Sequence, residues 1–262
     1  ASAGNYDLNK LVQISELVGS VESGATTPAD GLARIRVIDR PGPEYGPGPN
    51  AVAFVLCGLG FGVMLGISWM DVLLAGALSL LPFGLTLLAV HSPSLTAMFE
   101  LVVAAVGAVL ATLLALVFPG SSPLAITACA CIWFVPGFGL TLGPSELMNG
   151  NILSGLIGFT RAVVTTLKLF IGGLVGNAIV RDWASVPKPN LESGVPHVWS
   201  WVFIPLLVLG LAVLFRARSK DLVWPLLGGL IVWLGVELGS GLGYWQGTFI
   251  GAFLLMSAAR LL

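Results

Sequence analysis

Seven positions hold the residue types best suited to chemistry, spaced by three or four: Asn151, Ser154, Gly158, Arg161, Thr165, Lys168 and Gly172. On a helix that spacing draws one stripe, polar and twice cationic inside a mostly apolar run. A charge near mid-membrane costs about 2.5 to 3.5 kcal/mol on insertion scales, so the stripe is expected to face water, a carboxylate or a substrate. Four carboxylates are candidates to meet it: Glu100, Glu146, Glu237 and Asp71. Glu100 is the expected partner of Arg161, with Lys168 deeper. Glu100 and Glu146 would serve in charge balance or proton coupling, against the plainer reading of a structural ion pair. Glu237 lies near a predicted helix end, where it would reach the interface.

A second feature is the break in FVPGFGLTLGPSEL, where Pro136 removes a backbone donor and Gly137 follows it. Freed backbone groups need partners. In transporters they serve substrate or ions, whereas in a structural protein neighbouring side chains satisfy them. The candidate substrate-binding set is therefore Arg161, Lys168, Ser154, Thr165, Asn151, Pro136 and Gly137. Enzyme chemistry, a metal and a cofactor are not expected. His91 and His197 fall in loops, Cys57, Cys129 and Cys131 fall in apolar runs without ligand neighbours, and no triad, paired catalytic carboxylates or phosphate loop is present. A net charge of -1 without a basic run excludes nucleic acid.

The elements that must position these residues follow from composition. The chain is 56% hydrophobic and 10% charged, against roughly 25% charged in soluble domains. About 20 mainly apolar residues cross a hydrocarbon core of about 30 Å. Runs of that kind occupy 51–68, 71–90, 95–118, 123–140, 152–180, 199–215, 222–238 and 245–262. The expected fold is an all-α, multi-pass integral membrane protein with about eight transmembrane helices. The short connections at 68–71 and 239–243 are expected to be hairpins. Lys10, Arg34, Arg36, Arg40, Arg216, Arg218, Lys220 and Arg260 would then lie on the side of the N-terminus, with Arg181 and Lys188 opposite. Both termini are therefore expected on the cytosolic-equivalent side.

Residues 1–49 are polar and predict amphipathic surface helices. Leu8, Leu11, Ile14, Leu17, Val18 and Val21 mark the first, Thr27 caps a second with Pro28 at its first position, and 41–49 is a stiff linker. Small residues every four positions allow close helix approach at Gly58, Gly62 and Gly66 and again from Gly235 to Gly251, although a turn would break the second register.

Several segments are familiar together: NYDLNKLVQISELV, ADGLARI, WMDVLLAG, MFELVVAAVGAVLATLLA and above all FVPGFGLTLGPSELMNGNILSGLIGFTRAV. This resembles the threonine/serine exporter family, nearest its fungal pheromone-regulated membrane protein-like branch, over about residues 5–180, with WVFIPLLVLGLAVLF and the last runs matching more weakly. The resemblance implies a secondary transporter exporting small polar amino acids or short carboxylates, with proton coupling. Such members have two five-helix halves, so 50–182 would be the exporter-like N-terminal half, 183–198 a loop and 199–262 a three-helix partial C-terminal half. The implied partners are a small-molecule solute, the lipid bilayer, and a homo-oligomer or second transmembrane chain completing the fold. The alternative is a transport-inactive accessory or structural subunit of a larger membrane complex that reuses the exporter fold.

Overall fold

The computed structural model describes residues 7–39, 45–89, 98–188, 194–241 and 243–261. His91, positions 41–44 of the linker and the start of run 95–118 lie outside them. The chain divides into two compact units, one built on Ala51–Gly210, the other on Asn5–Asn50 together with Leu211–Leu262.

The second unit begins with helix α1, Leu8–Glu22, where the Asp7 side chain accepts from the Lys10 amide at 3.1 Å. Helix α2, Pro28–Ile38, starts as its sequence predicts: Thr27 accepts from the Asp30 amide at 3.2 Å and proline takes the first turn. The start of α1 is tied to the segment after Leu214. The Leu8 amide donates to the Phe215 carbonyl at 3.0 Å, Arg216 lies 3.3 Å from Asp7, and Arg218 reaches Asn9 at 2.7 Å and Glu16 at 3.1 Å. The unit ends in a helical hairpin, α11 (Val223–Ser240) and α12 (Tyr244–Leu261).

Helices α3 (Pro47–Met64), α4 (Trp69–Leu78), α5 (Leu80–Ala89), α6 (Phe99–Val117), α7 (Pro123–Ala130), α8 (Gly137–Met148), α9 (Ile152–Arg181) and α10 (Ser200–Leu214) supply the first unit. Among the described residues there is no strand, and the isolated bridge Ser68–Gly194 ties the α3–α4 turn to the segment before α10. A Cβ on Gly58 would lie 3.0 Å from the Ala75 carbonyl and one on Gly62 would lie 3.2 Å from Val72. Those contacts make α3 and α4 the expected antiparallel hairpin, and small residues allow it. Ala75, Leu78, Ala111, Ile126, Cys129 and Ala130 form a buried core joining α4, α6 and α7.

All eight apolar runs contain helix. Among the described residues, five stretches can cross a membrane by length and composition: Pro47–Met64, Trp69–Ala89, Phe99–Val117, Ile152–Arg181 and His197–Leu214. The number becomes six if Pro123–Ala130 and Ile132–Met148, bent by 57°, form one span, and Val223–Gly239 is a shorter apolar helix.

Candidate functional site

Helix α9 carries the polar stripe. Its 30 residues rise about 45 Å, more than a bilayer core requires. The first half lies against α8: a Cβ on Gly143 would fall 2.9 Å from the Phe159 amide nitrogen, and one on Gly155 would fall 2.8 Å from that of Leu147. The second half lies against α6, with Gly172 seated on Leu101 and Ala104 and Gly176 on Ala105 and Ala108. Residue numbers rise together on both helices, so α6 and α9 run parallel.

That register decides which charges meet. Lys168 Nζ lies 3.5 Å from Glu100 Oε2. The expected pairing of Glu100 with Arg161 is corrected by two helical turns, because seating Gly172 and Gly176 on the start of α6 brings residue 168 level with residue 100. Glu100 stands in the first turn of α6, where the helix dipole favours a carboxylate. Arg161 lies seven residues nearer the N-terminus of α9, about 10 Å along its axis. It is exposed and has no ion-pair partner among the described residues. Thr165, between the two cations in sequence, is half-buried.

The helix break starts earlier than Pro136. Helix α7 ends at Ala130, and a 3-10 turn, Ile132–Phe134, precedes α8. A Cβ on Gly107 would lie 3.8 Å from Cys131 Sγ, so the break begins about halfway along α6. Its far end approaches the ion pair: the Phe134 ring packs edge-on against Phe99 with centroids 5.4 Å apart, beside Glu100. The freed backbone at Gly137 is partly satisfied, since its amide donates to the Val135 carbonyl at 2.8 Å and its carbonyl accepts from the Thr141 hydroxyl at 3.1 Å. No side chain caps the α8 terminus at Pro136.

The remaining stripe residues gather at the α8–α9 turn. The Ser154 hydroxyl donates to Glu146 Oε2 at 2.7 Å, and Asn151 is the exposed N-cap of α9. The predicted residues thus fall at two levels, Glu100 and Lys168 near the break and Glu146, Ser154 and Asn151 at the turn, with Arg161 between them along α9.

Two buried polar contacts were missed. Asn177 donates to the Thr112 hydroxyl at 3.0 Å across the α6–α9 interface. The Ser122 amide donates to both Asp71 oxygens, at 3.2 and 3.3 Å, and Asp71 is 3% exposed. A lone amide in an apolar run was the available signal for Asn177. For Asp71 it was the pattern Ser68-x-x-Asp71, a capping box whose carboxylate here serves the start of a second helix.

Residues 2–180, more than half of the chain, match the family model named "Putative threonine/serine exporter". The matched stretch holds every stripe residue, the break, Glu100 and Glu146. Neither the curated proteins nor the solved structures contain a match to the chain.

Proposed function

The chain belongs to the threonine/serine exporter family, and from that premise we propose that it is a proton-coupled exporter of small polar amino acids or short carboxylates, with threonine and serine foremost. The observation that carries this reading is the meeting of the Glu100–Lys168 pair with the end of the helix break beside Phe99 at one end of α6, together with Arg161, which lies two turns nearer the N-terminus of α9 and has no ion-pair partner among the described residues. A guanidinium binds a carboxylate in a two-point fork, so Arg161 takes the substrate carboxylate. Glu100 balances charge or carries the coupling proton, with Glu146 as the second such group. Ser154, Thr165, Asn151 and the backbone around Pro136 and Gly137 offer polar contacts to the solute. In this reading both termini face the cytosolic-equivalent side, from which the substrate loads.

The test is counterflow of labelled threonine into liposomes holding the full chain. A charge-assisted contact contributes about 1.5 to 3 kcal/mol, roughly 10- to 100-fold in affinity. Arg161→Ala is therefore expected to lose flux at working concentrations while still inserting. Normal flux in an inserted Arg161→Ala protein removes the central assignment.

The second reading, a transport-inactive subunit, draws on an apolar outer face of α9, where Leu153, Ile157 and Ile171 are 74%, 61% and 47% exposed. Such a face suits lipid or a neighbouring membrane chain equally. Native mass measurement separates the two: a fixed copy in a large hetero-complex without flux supports the subunit.

A further inference from the structure

We propose that Lys168 is a built-in stand-in for the substrate's ammonium group, holding Glu100 while the site is empty and yielding it to a zwitterionic amino acid whose carboxylate goes to Arg161. The proposal rests on the exporter reading and narrows its substrate class to α-amino acids with a free ammonium, against dicarboxylates.

The geometry of the pair suits exchange. Lys168 meets Glu100 at 3.5 Å, longer than a tight charge-assisted contact of about 2.7 to 2.9 Å. Neither partner is sealed off, the side chains being 33% and 19% exposed. A lysine head is a compact ammonium with three donors on a flexible stem, chemically the same group that an amino acid presents.

Charge accounting points to the same exchange. Leaving Glu100 without a cation at this partly buried position is unfavourable because its charge is then left alone. Exchanging one ammonium for another keeps Glu100 compensated throughout. Lys168, released on its long stem, can swing along the stripe toward solvent. Arg161, about 10 Å away along the axis, has no ion-pair partner among the described residues. A zwitterion supplies both missing halves and brings no net charge. A dicarboxylate would satisfy Arg161 and set its second carboxylate against Glu100, a like-charge contact. Half-buried Thr165 lies between the two cations in sequence, at a level where a substrate hydroxyl would fall.

An internal competitor weakens apparent affinity by the fraction of time it occupies the site, so the proposal is read in KM. The full chain would be reconstituted in liposomes and threonine counterflow measured for wild type, Lys168→Gln and Lys168→Arg. The neutral variant is expected to lower KM several-fold, because nothing then competes for Glu100. The arginine variant is expected to raise KM several-fold, because a planar fork holds a carboxylate more firmly than a point charge. It keeps a cation on Glu100, so it tests the idea even where Lys168→Gln does not fold. An unchanged or lowered KM in Lys168→Arg overturns the proposal. N-acetylthreonine, which lacks the ammonium, is expected not to inhibit threonine flux, and inhibition equal to that by serine overturns it as well. Absence of threonine and serine flux in the wild type overturns the exporter reading and this proposal together, whereas flux with the reversed order of KM overturns this proposal alone.

Discussion

Asn177 shows what one polar side chain contributes where water is scarce. Its amide donates to Thr112, yet the Thr112 hydroxyl donates in turn to the Ala108 carbonyl at 2.6 Å. Asn177→Leu therefore removes one interhelical hydrogen bond without orphaning the hydroxyl proton. Such bonds average about 0.6 kcal/mol in membrane proteins and reach about 1.7. A drop of a few degrees in melting temperature in detergent is the expected outcome, with the α6–α9 pair intact. A loss of folded protein would mean the pair anchors the interface. At this scale the sequence was legible in type but not in partner. Periodicity places Arg161 and Lys168 on one face of one helix. Which of them meets Glu100 depends on how two helices slide past each other, and nothing within either run encodes that.

The sliding is settled by elements, through Gly172 and Gly176. A Cβ on Gly176 would collide with the Ala105 carbonyl oxygen, which is backbone and cannot rotate away. Gly176→Leu must separate α6 from α9, undoing the Glu100–Lys168 contact at the same time. Overpacking typically costs 1 to 3 kcal/mol and occasionally more, so this variant is expected to melt well below Asn177→Leu in the same detergent. Equal melting of the two would show that the helices are free to shift. Glycine spacing was visible in sequence, but its meaning depended on chain reversal. The Gly235 to Gly251 ladder folds back at Gly243, whose φ of 134° suits glycine, and sets Gly235 against Gly251 and Gly239 against Gly247. The turn does not spoil the ladder, because the spacing is symmetric about it. The helix break was anticipated at Pro136 and found to begin at Cys131, since the apolar run 123–140 hides an interruption that no proline marks.

For the whole molecule, contacts between loops constrain how often the chain crosses the membrane. Groups that touch outside the hydrocarbon must share a side, and an even number of crossings separates them. Val195 donates to the Ile67 carbonyl at 3.0 Å, and α4–α5, α6, the bent α7–α8 pair and α9 lie between those residues. Asp7 meets Arg216, with α3 and α10 added to the interval. Both counts are even only if the bent pair crosses the membrane as one interrupted span. A re-entrant loop entering and leaving by the same face would put Ile67 and Val195 on opposite sides. The lysine and arginine distribution supports the same arrangement, with Arg181 and Lys188 away from the N-terminal side. Single cysteines labelled by a membrane-impermeant thiol reagent test it, the native cysteines being buried. Asn149→Cys, in the exposed α8–α9 turn, is expected to react from the same side as Ser23→Cys between α1 and α2, and Ser185→Cys from the other. Reaction of Asn149→Cys from the side opposite Ser23→Cys, with Ser185→Cys now reacting from the Ser23→Cys side, would make the bent pair re-entrant. Arg161, two to three turns from that end of α9, would then load from the opposite face, and export toward that face would lose its geometric basis.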